Sequence, residues 1–207
     1  MTAATSVKTY HHGHLRNAML DAVAVVAREH GLNQVSLRAV ARHVGVTHAA
    51  AVHHFGNKAG LLTAFATQGF VEMSETVLSS ISAARAADGP AMLEAAGRGY
   101  FRFAVRDTER FEAMFQPHLL NADDAEFLAA REATYALLAR AIARCRDEGF
   151  VPEHEADVVS AAAWSLVHGL AVLWISGRLG ARTSEAEPDL LASRVLRLFV
   201  DTVLRRQ

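Results

Sequence analysis

Apolar positions in this chain recur at helical rather than strand spacing. From about His12 to His30, Leu15, Met19, Val23 and Val26 fall at i, i+4, i+8 and i+11 on one helix face. Gly31 stands where a left-handed cap would end that helix. Ser36 is placed as an N-cap before Leu37, Val40, Ala41 and Val44, a two-turn amphipathic helix closed by Gly45. Thr47 repeats the signal ahead of a short helix through His54, with Val52 and Phe55 available to pack inward and Gly56 and Asn57 to break it. A longer helix is predicted from Lys58 through Leu62, Phe65, Phe70, Met73, Val77 and Ile81 to about Ala84.

Beyond Asp88, Gly89 and Pro90, helices are predicted near 90–106, 108–116, 123–148, 155–178 and 188–205. The breaks are Asp107-Thr108, Gln116-Pro117, Gly149 to Pro152 and the polar stretch before Pro188. The pattern describes an all-α chain of about nine helices. A three-helix module over residues 1–60 precedes a larger helical domain over residues 61–207.

Composition supports the class: 51% of the 207 residues are apolar and only four are Pro, so strong helix formers dominate. No stretch approaches the roughly 20 uncharged apolar residues of a membrane span, and no signal-like segment is visible, so a cytoplasmic protein without membrane contact is expected. The single Cys145 reads as a small helix residue rather than a nucleophile or metal ligand. Charge changes the picture more. Residues 1–60 hold Lys8, Arg16, Arg28, Arg38, Arg42 and Lys58 against Asp21 and Glu29, six minus two for +4, together with eight of the eleven His. The remainder carries 15 basic and 20 acidic residues, giving −5 and the overall −1. A small basic module attached to an acidic body is the electrostatic footprint of nucleic-acid binding confined to one domain.

Three short helices, a Gly-containing turn between the second and third, and a basic residue opening a fourth fit a helix-turn-helix. In that geometry the helix from Thr47 to His54 lies in the major groove. The run from Ser36, Leu37 and Arg38 through Ala41, Arg42 and Val44 to Gly45, Val46 and Thr47, followed by His54, Phe55, Gly56, Asn57, Lys58, Leu61 and Leu62, resembles the DNA-binding domain of TetR-family regulators. Tyr10, His11, His12, Gly13, His14, Leu15 and Arg16 are similar to the entry of the first helix in one branch of that family. Trp164 with His168 and Gly169 resembles the WHG type of regulatory domain attached to that branch.

The resemblance implies a DNA site. Thr47 and His48 would face bases or phosphates, and Ser36 and Lys58 would grip phosphate where helix N-termini already favour an anion. His54 matches a residue near the DNA backbone, and His53 stands where relatives carry Arg, Tyr or His. Val52 departs from the family's usual Tyr and removes a phosphate-directed hydroxyl; its other reading is a core residue under Phe55. Ala49, Ala50 and Ala51 offer little hydrogen bonding, although Ala can contact a thymine methyl. His11, His12, His14, His48, His53 and His54 also raise a metal-sensing alternative. Their spacing argues against it, because adjacent helical side chains point about 100° apart, so no metal or cofactor is expected.

In the C-terminal part, the helix bearing Trp164, Val167, Leu170, Ala171 and Trp174 is apolar on more than one face. The last helix offers Leu191, Val195, Leu198, Phe199 and Thr202. Two such helices suit a four-helix bundle shared by two copies, the way TetR-like proteins usually dimerise. Tyr100, Phe101, Phe103, Phe111, Met114, Phe115, Phe127 and Tyr135 form an aromatic and soft-residue set that reads either as core or as the wall of a small-molecule cavity. In the cavity reading Phe101, Phe111, Met114, Phe115, His118, Trp164 and His168 are the candidate ligand contacts, with His168 beside Gly169 alternatively serving close helix packing. No phosphate loop, nucleophile elbow or metal spacing supports an enzyme. The expectation is a homodimeric repressor that binds a palindromic operator in double-stranded DNA and is released by a small effector. Action without an inducer, or as an activator, is the alternative.

Overall fold

The computed structural model describes residues 6–152, 155–179 and 187–204, with side chains from His14 onward. Among these residues the chain is all-helical, with nine α-helices and no strand. In order they are α1 (Ser6–His30), α2 (Leu37–Val44), α3 (His48–Phe55), α4 (Lys58–Ala84), α5 (Gly89–Arg106), α6 (Thr108–Met114), α7 (Ala125–Asp147), α8 (Ala156–Ile175) and α9 (Pro188–Val203). Two short 3-10 turns, Leu32–Gln34 and Pro117–Leu119, were not foreseen from the apolar period. The first begins at Gly31, whose φ of 81° is positive as expected but whose ψ of 154° is extended, so the chain leaves α1 into a turn rather than a left-handed cap.

Packing divides the chain into two compact units. One takes the chain up to Gly69 together with Glu109–Leu128; the other takes Phe70–Thr108 and the chain from Ala129 onward. In the first unit Met19, Val23 and Val26 of α1, Val40 and Ala41 of α2, Phe55 of α3 and Leu61, Leu62 and Phe65 of α4 share one buried core. Ala51 supplies the second inward residue of α3 and is fully buried, whereas Val52 is 39% exposed. The expectation that Val52 packs inward is therefore corrected. Ala51 and Phe55 are four residues apart and face the same way, and Val52 is turned about 100° from Ala51.

In the second unit α5 packs against α8 and α9, which also pack against each other. Met92, Leu93, Ile142, Val159, Ala163 and Val200 form part of its core. Cys145 is buried in the same cluster, and burial, helped by Glu148 and Asp88, pushes its thiol up to about 11, so it stays a protonated packing residue. A Cβ at Gly99 of α5 would lie 2.7 Å from the Val77 backbone of α4, so glycine permits that close approach. Contrary to the sequence expectation, α8 is long and apolar enough by length and composition to cross a membrane. Its apolarity has another account: one side is buried in the unit through Val159, Ala163, Val167, Leu170 and Ala171, and the other exposes Val158, Val172 and Leu173.

Candidate nucleic-acid interface

Local chemistry sets the two helices of the turn. The Ser36 hydroxyl accepts from the Ala39 N–H at 3.2 Å and starts α2. Gly45 ends it in the left-handed region, φ 79° and ψ 29°, where Val46 N–H returns to the Ala41 carbonyl at 2.9 Å. One residue later the Thr47 hydroxyl accepts from Ala50 N–H at 3.2 Å and starts α3. Both hydroxyls are used here as acceptors, which leaves each O–H to donate to a phosphate oxygen. The third start, on α4, is capped by Asn57, whose side-chain oxygen accepts from Gly60 N–H at 2.9 Å. The sequence marks Asn57 only as a helix breaker.

On α3, His48, Ala49, Val52 and His53 are exposed, as is Thr47 before them, while Ala50 and His54 are half-buried. The rings of His53 and His54 meet edge-on at 5.7 Å, and His54 lies 6.1 Å from Phe55. Lys58 donates from Nζ to the Asn33 carbonyl at 2.6 Å, bracing the 3-10 turn ahead of α2 and leaving two ammonium hydrogens for an anion. Two further residues hold α3 in place. Arg16 sets its guanidinium 5.7 Å over the Phe55 ring. A Cβ at Gly60 would come within 2.1 Å of the Phe55 carbonyl oxygen, so only glycine lets the first turn of α4 meet the end of α3. Gly60 was not singled out from the sequence. Its signal was a glycine in the first turn of a helix, where it costs about 1 kcal/mol relative to alanine unless packing requires it.

Not every cation of this unit is available to DNA. Arg28 is held by Glu109 of α6 through two bonds of 2.6 and 3.0 Å. Burial works against the Glu109 carboxylate, but the hydrogen bond and charge of Arg28 outweigh it and keep its pKa below the ordinary range. Arg110 pairs with Asp21 at 3.1 Å and lies 5.1 Å over the Phe65 ring. The exposed basic residues of the turn are Arg38 and Arg42 of α2. His14 belongs to the described residues, but the side chains of His11 and His12, on which the metal alternative leans, lie outside them. Among the described residues no three His, Cys, Asp or Glu side chains stand together as a metal site.

The remaining candidates are distributed over both units. Phe111, Met114, Phe115 and His118 belong to the first, where the Phe111 and Phe115 rings lie 5.1 Å apart, tilted by 60°, and His118 is exposed on the second 3-10 turn. Phe101, Trp164 and His168 belong to the second. Trp164 and His168 come together at 6.0 Å, while Phe101 is fully buried against Trp174 at 6.4 Å. Val167, Leu170 and Ala171, expected at a dimer face, are buried inside their own unit because α8 turns that side toward α5 and α9; Trp174 is half-buried with them. On α9, Leu198 and Thr202 are exposed and Leu191, Val195 and Phe199 half-buried.

Residues 19–65 match the family model of bacterial regulatory proteins of the tetR family. Residues 93–199 match the tetracyclin repressor-like C-terminal domain, a description that does not name the WHG type. No curated protein matches the chain. Among solved structures, a protein of unknown function from Rhodococcus sp. RHA1 is 26% identical with a TM-score of 0.79, covering 95% of this chain and 98% of that one. The TetR-family regulator PfmR from Thermus thermophilus is 20% identical with a TM-score of 0.68, covering 90% and 97%. The fatty acid degradation regulator FadR from Bacillus halodurans is 16% identical with a TM-score of 0.72, covering 93% and 97%. The last two likenesses are of fold. The C-terminal match spans more than half of the chain and the N-terminal one takes in the whole turn from Ser36 to Lys58, so this protein belongs to the TetR family of bacterial transcriptional regulators.

Proposed function

We propose that the protein is a cytoplasmic, homodimeric repressor that binds a palindromic operator through α3 and is released by a small molecule. The observation that carries the reading is the α2–turn–α3 unit, with Thr47, His48, Ala49, Val52 and His53 on the open side of α3 and the hydroxyls of Ser36 and Thr47 at two helix starts. Phosphate contacts come from Ser36, Thr47, His54 and Lys58, and base contacts from His48, Ala49, Ala50, Val52 and His53. Dimerisation is supported by the outer side of α8. Val158, Ala161, Ala162, Ser165, Val172 and Leu173 are exposed there, and a Cβ on Gly169 would meet nothing, which leaves room for a partner helix. Leu198 and Thr202 of α9 add to that surface. A footprint with purified protein on the DNA flanking its own gene tests the reading. Two symmetric protected half-sites about 34 Å apart are expected; binding no tighter than to random DNA would refute it.

A further inference from the structure

The stretch from α2 to the start of α4 is rich in groups whose charge follows pH. Its fixed cations are Arg38, Arg42 and Lys58, and four histidines lie among them, His43, His48, His53 and His54. Titration of the imidazoles therefore changes the charge of this stretch by more than its fixed cations supply. Lys58 also gives one of its hydrogens to the Asn33 carbonyl.

Carboxylates are kept off this stretch. Before Glu72 the sequence holds only two, Asp21 and Glu29, both within α1. Arg110 pairs with Asp21 at 3.1 Å, and Glu29 lies 3.6 Å from Nε2 of His30. Glu109 of α6 is taken by Arg28. The helices that share a core with α3 otherwise bring basic groups: Arg38, Arg42 and His43 from α2, His14 and Arg16 from α1, and Lys58 from α4. Around the axis, at 100° per residue, the exposed side chains of α3 follow the order His48, Val52, Ala49, His53 over about 140°. The two imidazoles border the open strip and the methyl groups lie between them. A helix laid in the major groove turns the borders of such a strip toward the phosphate walls.

We propose that operator binding is coupled to proton uptake at His48 and His53, so that the protein holds its operator more tightly as pH falls from about 8 to 6. This rests on the DNA-binding reading above and gives it a regulation. A protonated imidazole offers two N–H donors and a full charge, a neutral one a single donor. Beside phosphate the charged form is favoured. The bound state then carries more protons than the free one, which makes affinity greatest in acid and lowers it as pH rises.

Fluorescence anisotropy with the full chain and the duplex flanking its own gene, from about pH 6 to 8.5 at fixed ionic strength, tests the coupling. Net uptake of about one proton makes the affinity fall about tenfold per pH unit. Calorimetry in phosphate and in Tris should give binding enthalpies that differ by the proton count times the difference in buffer ionisation enthalpy. The double variant His48→Gln, His53→Gln keeps a hydrogen-bonding side chain at each place but cannot titrate, and its profile is expected to be flat at the weaker level the parent reaches in alkali. Each single variant should halve the slope, which decides the matter should the double variant fail to fold or bind. His30→Gln, whose imidazole already has Glu29 beside it, should keep the parent's profile. A flat profile in the parent, a slope undiminished in the His48 and His53 variants, or a slope lost in His30→Gln overturns the proposal, while preference for the operator in the same titrations upholds the DNA-binding reading. Binding no tighter than to a random duplex at every pH refutes both.

Discussion

Lys58 is bonded to the Asn33 carbonyl, which braces the turn before α2, and under the proposed function the remaining ammonium hydrogens would serve a phosphate. Lys58→Ala is expected to weaken binding alike on all DNA sequences and to reduce the salt dependence by about one unit of slope. The same change should lower the melting temperature without DNA, since the Asn33 carbonyl loses its partner; an unchanged slope would contradict the phosphate contact. Gly60→Ala tests the seat of α3. A Cβ placed 2.1 Å from the Phe55 oxygen forces α3 and α4 apart, and urea denaturation should show a loss of about 1 to 3 kcal/mol. What the sequence revealed at this scale was whatever is decided within a few residues: the Ser36 and Thr47 caps and the left-handed Gly45 follow from local hydrogen bonding. Which of Ala51 and Val52 turns inward was not legible, because hydrophobicity favours Val while the inward face is fixed by where Phe55 docks. The hold of Arg16 on Phe55 joins residues far apart in the chain and left no periodic trace.

Among the elements, α6 shows best why order along the chain is a poor guide to packing. It lies well past the basic module in sequence, yet Glu109 holds Arg28 of α1 and Arg110 holds Asp21, 81 and 89 residues away. The two acids of α6 respond to pH in opposite senses. The folded pKa of Glu109 is depressed, so its contribution is present above the unfolded value and is lost as pH falls through the folded one. Burial and then the Glu109 charge raise the pKa of Glu112, so its ionisation opposes folding at neutral pH and ceases to do so in acid. Thermal melts should therefore show Glu109→Gln less stable and Glu112→Gln more stable than the parent at neutral pH, with both differences closing in acid. Differences that stay constant across pH would contradict both assignments.

For the whole molecule, the helical class and the helix-turn-helix were legible because period and caps repeat along the chain, whereas the side of α8 that its own unit leaves exposed was not. A helix apolar all round does not announce which face its own domain takes; α5 and α9 took Val167, Leu170 and Ala171 and left Val172 outside. Val172→Glu should leave each copy folded, and sedimentation should find it monomeric with operator affinity falling steeply; a dimer that survives would place the interface elsewhere. The open side of α3 has a consequence for the operator itself. Ala49 and Val52 are exposed and carry only methyl groups at their tips, so under the proposed function they would discriminate by the presence of a methyl on the pyrimidine. Replacing operator thymine by uracil should cost about 0.8 kcal/mol, roughly fourfold in affinity, for each methyl lost. Methylating a cytosine in the same step should restore part of it, making occupancy of the site responsive to DNA methylation without any change in the protein.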